Sequence, residues 1–232
     1  MMLKELDNTI NQLLNLSRYN RSPDEKTVAI NAASAELFKF IAGPVGEYSA
    51  GRPVSRINNQ ETSTTYSLLN NFYRVTEIAT KTNEVGSLVP VWDVSADADA
   101  RLYDVELVSA GYGGSSKTVG VKVLPDNQIK QRLESKLVPP TEKVPIGEYY
   151  PKFRYAITPE PTLVVSKYLV FPDSCKIVYD ENGQYDPNLS IETNWPDDAI
   201  WSLAVRAIKF LGINIPNPTI IQAANQMQQQ LV

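Results

Sequence analysis

The sequence contains no histidine and a single cysteine, Cys175, among its 232 residues. Without histidine, the commonest general base near neutral pH and the commonest metal ligand are both missing, so no imidazole-based catalytic triad can form. With one cysteine, the chain can make no internal disulfide, no CxxC redox pair and no zinc site built from several thiolates. We therefore predict no catalytic residue, no metal site and no cofactor, and we expect packing alone to hold the fold.

Long apolar runs are also missing. No stretch approaches the roughly 20 apolar residues that span a bilayer, and residues 1–16 are amphipathic rather than a basic segment followed by an apolar one. We expect a protein that neither enters a membrane nor is exported. The chain carries 26 acidic and 22 basic residues, a net charge of −4, which disfavours nonspecific binding of nucleic acid to the whole surface. Its 43% hydrophobic and 21% charged content is typical of a globular protein.

The N-terminal part has helical periodicity. A first helix is predicted to run to about Tyr19, because its leucines and isoleucine recur at three- and four-residue spacing. A second helix is predicted over 23–42: Ser22 is a suitable N-cap, Pro23 suits the first helical position, and Glu25 completes a capping box. A short helix is also predicted over 63–71. The predicted buried faces are Leu3, Leu6, Ile10, Leu13 and Leu14 in the first helix, and Ile30, Ala33, Leu37, Phe40 and Ile41 in the second.

The middle of the chain consists of short runs rich in β-branched and aromatic residues, separated by turn residues. Most of these runs are not separated by a helix of crossover length, so a mainly antiparallel sheet is predicted. The clearest predicted hairpin joins 153–157 to 163–171 through the proline-bounded loop at 158–161. The complete set of predicted strands is 73–79, 87–92, 102–109, 118–124, 153–157, 163–171 and 175–179.

The segment GYGGSSKT at 111–118 differs by one residue from a phosphate-binding P-loop, with serine in place of the last glycine. Such a loop must open a helix, whereas the valines at 119, 121 and 123 alternate with other residues as in a strand. We interpret it as a hairpin tip. A nucleotide-dependent enzyme that uses Lys117 and Thr118 remains a less favoured alternative.

Two further groups suggest ligands. Asp97, Asp99 and Asp104 could supply carboxylate ligands to calcium, but their spacing is not that of an EF-hand. A solvated acidic loop is therefore favoured. The aromatic residues at 149, 150, 153 and 155 could stack on bases if they lay on an exposed basic face, although sheet packing explains them better. A carbohydrate-binding module that uses the tyrosines and tryptophans is an alternative function that we keep.

The C-terminal part is predicted to be helical and apolar. The segment NWPDD at 194–198 opens a helix with proline in its first turn and two carboxylates at its positive end, and Gly212 ends that helix. A last helix is predicted to begin at 217–218, and no residue from Phe210 to Val232 is charged. Helices that are this apolar and carry no charge favour contact with another protein surface. The predicted assembly interface comprises Trp195, Trp201, Val205, Ile220, Ile221, Ala224, Met227 and Leu231.

Charge is unevenly distributed along the chain. Residues 117–154 contain eight basic and four acidic residues, a net charge of +4. Residues 173–198 contain seven acidic residues and one basic residue, a net charge of −6. Two solvated faces would explain this pattern. The alternative is that the basic region of one subunit meets the acidic region of its neighbour.

The order of several segments carries a resemblance. These segments are VLPD at 123–126, a short helix at 127–135, VPPTEKVPI at 138–146, the hairpin predicted at 153–171, ETNWPDD at 192–198 and LGINI at 211–215. In this order they resemble structural proteins from tailed phages of Bacteroidetes hosts, and they are most similar to the head-to-tail connector, or ring, proteins of crAss-like phages. The resemblance covers about 120–230 well and the N-terminal helices loosely.

The resemblance implies a portal adaptor in the virion neck, present in the host cytoplasm during assembly. Its implied partners are further copies in a ring of twelve, the portal protein, further neck or tail ring proteins, and genomic DNA that passes through the channel without sequence-specific binding. From residues and resemblance together we predict an α+β fold in which helices from both termini pack together, with a central, mainly antiparallel β portion. A virion attachment or carbohydrate-binding module stays the alternative function. The predicted parts are a helical 1–72, a β portion at 73–192 with a short helix near 126–135, and C-terminal helices at 193–232.

Overall fold

The computed structural model describes residues 2–16, 21–42, 67–82, 89–113 and 117–212. These residues form helices and mainly antiparallel sheets, which confirms the predicted α+β class. The chain divides into two compact units. The helical unit combines Met1–Phe72 with Pro172–Val232, and the sheet unit is Tyr73–Phe171. The second boundary therefore lies at Pro172 rather than at the predicted residue 193.

The helical unit is built from three long helices. They are α1 (Met2–Leu16), α2 (Pro23–Ala42) and α5 (Ile200–Phe210), with short 3-10 turns at Asn70–Phe72 and Asp197–Ala199. Helix α5 packs against both α1 and α2. Helices from the two ends of the chain thus pack together, as predicted. The predicted last helix lies outside the described residues.

The apolar stripe of α1 is buried at all five predicted positions. Helix α2 begins at the predicted proline, and the capping box is present: the Glu25 amide donates to Ser22 Oγ at 3.2 Å, and the Ser22 amide donates to Glu25 Oε2 at 2.9 Å. Two predicted core residues of α2 are not buried: Phe40 is exposed and lies under the Arg206 guanidinium, and Ile41 is half-buried. Phe38 is fully buried instead.

The end of α5 follows the sequence prediction. Gly212 has φ of +71°, a conformation that glycine adopts without a Cβ penalty. The amides of Leu211 and Gly212 donate to the carbonyls of Ala207 and Lys209, both at 3.0 Å. These bonds satisfy carbonyl groups that the last turn of a helix otherwise leaves without partners.

The sheet unit contains two sheets. One has the strand order β1-β9-β4-β5 and the other β2-β3-β8-β7-β6, and among these pairs only β6 and β7 are parallel. Two short helices, α3 (Val94–Asp97) and α4 (Asp126–Leu133), complete it. The strands are β1 (Tyr73–Ile78), β2 (Lys81–Thr82), β3 (Val91–Asp93), β4 (Leu102–Gly111), β5 (Thr118–Gly120), β6 (Lys122–Leu124), β7 (Ile146–Tyr150), β8 (Arg154–Thr158) and β9 (Leu163–Val170).

The core of the sheet unit lies between the inner faces of these sheets. The predicted strand over 118–124 is present but divides at Val121 into β5, in one sheet, and β6, in the other. The Val121 amide bonds to the Val108 carbonyl at 2.8 Å, and the Lys122 amide bonds to the Pro145 carbonyl at 3.1 Å. The core cluster consists of Ile78, Trp92, Val94, Val108, Ala110, Val121, Tyr155, Ile157 and Val164.

The predicted hairpin between 153–157 and 163–171 is wrong. Strand β8 pairs with β3 and β7, whereas β9 lies between β1 and β4 in the other sheet. The proline-bounded loop carries the chain from one sheet to the other, and this region is hydrogen-bonded to the end of β4. The Thr162 amide donates to the Gly111 carbonyl at 3.0 Å, and the Tyr112 hydroxyl donates to the Pro159 carbonyl at 3.0 Å.

The predicted strand at 175–179 is also wrong, because this segment forms only isolated bridges. Side chains of α2 satisfy its backbone instead. The Cys175 amide donates to Asn31 Oδ1 at 2.8 Å, and the Ile177 amide donates to Thr27 Oγ1 at 3.1 Å. These bonds place residues 172–192 in the helical unit, which explains the shifted boundary.

Candidate interaction surfaces

A groove in the helical unit lies between α2 and the C-terminal end of α5. Its volume is about 440 Å³, and its lining is mostly apolar. Val28 is 68% exposed and Phe210 is 50% exposed, both large values for such side chains. We call this feature the α2–α5 groove; its lining residues are Arg21, Asp24, Glu25, Val28, Ala29, Ala32, Phe210 and Leu211.

Arg21 fixes the polar rim of the α2–α5 groove. Its Nη2 atom donates to the Leu211 carbonyl at 3.0 Å, at the negative end of α5, and its Nη1 atom lies 3.4 Å from Glu25 Oε1. Hydrogen bonds from Ser22 lower the pKa of Glu25. The rim is thus held by bonds within the unit, while the apolar floor faces solvent.

The predicted interface residues occupy different environments. Trp195 is buried in the core of the helical unit, where Nε1 donates to Ser34 Oγ at 2.7 Å and the ring meets Phe72 edge-on at 4.7 Å. It therefore offers no surface to a second copy, contrary to the prediction. Trp201 and Val205 are half-buried on α5. The other predicted interface residues, Ile220, Ile221, Ala224, Met227 and Leu231, lie outside the described residues.

The sheet unit exposes a second apolar surface, along β6, α4 and β7. Leu137 is 94% exposed, and it follows α4 in a segment of turns that leads into β7. The α4 helix contacts β7, and β6 pairs with β7, so these elements form one continuous feature. Its exposed apolar side chains are Val123, Leu133, Leu137, Val138, Val144 and Tyr149.

The helical unit also contains a buried ionic cluster that the sequence patterns did not predict. Lys26 Nζ donates to Asp7 Oδ1 at 2.7 Å and to Asn11 Oδ1 at 3.0 Å, and it also donates to the Tyr179 hydroxyl. That hydroxyl donates to Asp7 Oδ2 at 2.5 Å. Burial and the bond to Asp7 raise the pKa of Tyr179. A signal was available, since Asp7 falls on the apolar stripe of α1.

The geometry of this cluster indicates a structural role. All three Lys26 protons have acceptors, and the groups connect α1, α2 and the segment after Pro172. A buried charge whose bonds are all made within the protein is a stable arrangement rather than one poised to react. Cys175, also buried in this unit, has its pKa raised to about 11 by burial, which opposes formation of the thiolate nucleophile.

The near-P-loop at 111–118 is flanked by strands. Its first residue ends β4 and its last begins β5, which confirms the strand prediction on the C-terminal side; residues 114–116 lie outside the described part. A phosphate-binding loop needs the amides of a helix N-terminus directly after it. Lys117 is exposed beside a strand, so the described geometry does not provide that arrangement.

The acidic residues near α3 hold the backbone. Asp97 accepts bonds from the amides of Ala79 and Thr80, both at 2.8 Å, and from the Thr80 hydroxyl at 2.9 Å. Burial raises the pKa of Asp97, but these bonds outweigh it and hold the pKa below its usual value. Bonds from Arg101 lower the pKa of Asp99 to about 2. Within the described residues no group of three or more acidic or thiol side chains could hold a metal ion.

The aromatic residues considered for base or sugar stacking belong mainly to cores. Trp92, Trp195 and Tyr155 are buried. Tyr149 is exposed, and its ring packs edge-on against Tyr155 at 5.5 Å. These positions fit the favoured sheet-packing interpretation, because a stacking platform needs several exposed ring faces.

Comparison with protein-family models and with curated proteins gave no match to this chain. In the described part of the chain, none of the helices combines the length and hydropathy that crossing a bilayer requires.

Proposed function

We propose that this protein is a non-enzymatic virion structural protein, an adaptor subunit of a ring that joins the portal to the tail around the DNA channel. The α2–α5 groove carries the proposal. Its apolar floor stays exposed after α1, α2 and α5 have packed together, and the uncharged C-terminal segment begins at its edge. The resemblance of residues 120–230 to connector proteins supports the same function.

Burial of the exposed apolar area of the groove would stabilise a ring. Each square ångström of apolar surface removed from water contributes about 25 cal/mol. Val28 is 68% exposed and Phe210 is 50% exposed, so covering this groove floor with another apolar surface lowers the free energy. In a ring every subunit makes the same contact, so a modest gain per interface is repeated around the whole assembly.

The proposed partners are further copies of the chain, the portal protein and further neck or tail ring proteins. Genomic DNA would pass through the channel without sequence-specific contacts. The copy number of twelve and the location in the virion neck come from the resemblance. During assembly the protein would be in the host cytoplasm.

The test is electron microscopy of the purified protein, alone and mixed with the portal protein of the same virion. Rings are expected in at least one sample. Val28→Asp should lower ring formation by about tenfold or more, because it places a charge on the apolar floor. Lys39→Ala, at an exposed position of α2 outside the groove, makes the same change of −1 in net charge; it is the matched control and should assemble normally.

Circular dichroism and urea unfolding must show that both variants keep the wild-type fold. A strictly monomeric wild-type protein in both samples would contradict the proposed function. Normal rings from Val28→Asp would remove the groove from the interface.

A further inference from the structure

The exposed apolar surface along β6, α4 and β7 lies within the basic part of the sequence. Residues 117–154 carry the net charge of +4. Lys136 directly precedes Leu137, Lys143 directly precedes Val144, and both lysines are exposed. We call this feature the basic surface: the exposed side chains of residues 117–154, which include the apolar residues Val123, Leu133, Leu137, Val138, Val144 and Tyr149.

The helical unit has a surface of opposite charge. Residues 173–198 carry the net charge of −6, and within them Leu189 is 64% exposed and Ile191 is 54% exposed. We call the exposed side chains of this segment the acidic surface. It therefore combines the same two properties as the basic surface, exposed apolar groups and an excess of one charge, with the sign reversed.

The acidic surface is held in a defined shape. Bridges between Lys176 and Ile191 and between Tyr179 and Tyr185 close the loop. Asp180 Oδ1 accepts the amides of Asn182 and Gln184, and Asp186 Oδ1 accepts the amide of Asn188, each at 2.8 or 2.9 Å. A surface that is already ordered loses less conformational entropy on binding than a flexible loop does.

We propose that the basic surface of one copy binds the acidic surface of the next copy; this inference rests on the proposed ring function and adds a second contact between subunits to the one proposed at the α2–α5 groove. Two different surfaces make a head-to-tail contact, the type that closes into a ring when the rotation allows it. Charge complementarity identifies a second copy of the chain as the binding partner. Two molecules of net charge −4 repel each other, and pairing these surfaces adds a local attraction that opposes the repulsion in one orientation.

Substitutions that change the charge on each side test the contact: two reversals on the basic surface, and one reversal with one added positive charge on the acidic surface. The basic-surface variant is Lys136→Glu/Lys143→Glu. The acidic-surface variant is Glu181→Lys/Asn188→Lys, chosen because both residues are exposed while the carboxylates of Asp180 and Asp186 hold the loop. Lys4→Glu/Lys39→Glu, at exposed positions of α1 and α2, carries the same charge change as the first variant and is the matched control.

Self-association of the full-length proteins is measured by sedimentation velocity and by electron microscopy at about 50 mM and about 500 mM salt, since salt screens exposed charges. Each surface variant alone should associate about tenfold more weakly than wild type at low salt. An equimolar mixture of the two should regain assembly, because alternating subunits then restore opposite charges at every contact of an even-numbered ring. The control variant should assemble as wild type does.

If either surface variant associates as strongly as the wild type, the inference is overturned and the ring function stands. The same conclusion follows if both variants are folded and neither assembles alone or in the mixture. Saturable binding of duplex DNA to the wild type that Lys136→Glu/Lys143→Glu abolishes, with self-association unchanged, would assign the basic surface to nucleic acid instead. A wild-type protein that never associates would overturn the ring function together with the inference.

Discussion

At the scale of single residues, the buried pair of Lys26 and Asp7 is the most consequential feature of the helical unit. The two side chains are 2.7 Å apart and both are buried. Taking two charges out of water is costly, and their attraction compensates only when the remaining polar atoms are also bonded. Here Asn11 and Tyr179 supply those bonds, so the cluster links three segments of the chain.

Lys26→Ala should therefore lower the free energy of unfolding by about 3–5 kcal/mol, because it leaves the Asp7 carboxylate buried without its cation. Urea unfolding followed by circular dichroism measures this change. The double replacement Lys26→Met/Asp7→Leu should recover most of the loss, since no charge remains buried. Lys39→Ala on the exposed side of α2 should change stability by less than about 0.5 kcal/mol. A loss below about 1 kcal/mol for Lys26→Ala would show that the pair contributes little.

At the scale of elements, the passage from β5 to β6 depends on a glycine in a neighbouring strand. Val121 lies at this passage with its side chain buried over Gly147 of β7. A Cβ added at Gly147 would lie 2.8 Å from Val121 Cγ1, closer than such atoms come in proteins. The close approach of the two strands thus requires the absence of a side chain at this position.

Gly147→Ala should lower the free energy of unfolding by about 1–3 kcal/mol, because Val121 or the strand must move. Gly120→Ala is the matched control: it also lies in a strand, and its added Cβ would meet Leu107 Cδ1 at an ordinary 3.7 Å. Thermal and urea unfolding of both variants measure the difference. Equal stability of the two would mean that β7 accommodates the methyl group without strain.

At the scale of the whole molecule, the division into two compact units predicts that a destabilising substitution in one unit raises hydrogen exchange mainly in that unit. Lys26→Ala should raise amide hydrogen exchange in α1, α2 and α5 by about tenfold or more and leave β4 and β9 nearly unchanged; Gly147→Ala should do the reverse. Hydrogen exchange with mass spectrometry at peptide resolution makes this comparison. Increased exchange in both units for either variant would instead show that they unfold as one.

Local signals in the sequence predicted much of the helical unit. The three- and four-residue spacing of α1, the Ser22–Glu25 capping box and the glycine at 212 were confirmed, because each depends on residues within a few positions of one another. The candidate surfaces were only partly predictable. Trp195 was assigned to an interface, but its partners Ser34 and Phe72 are more than 100 positions away.

The sequence by itself determined the α+β class, the bounds of α2, the end of α5 and the opposite charges of 117–154 and 173–198, because composition and short-range patterns record them directly. Only the tertiary structure decided that β8 and β9 lie in different sheets, that 172–192 joins the helices, and that Lys26 meets Asp7. Strand pairing and buried ionic contacts join residues far apart in sequence, and their energy comes from burial and hydrogen-bond geometry that no local pattern encodes.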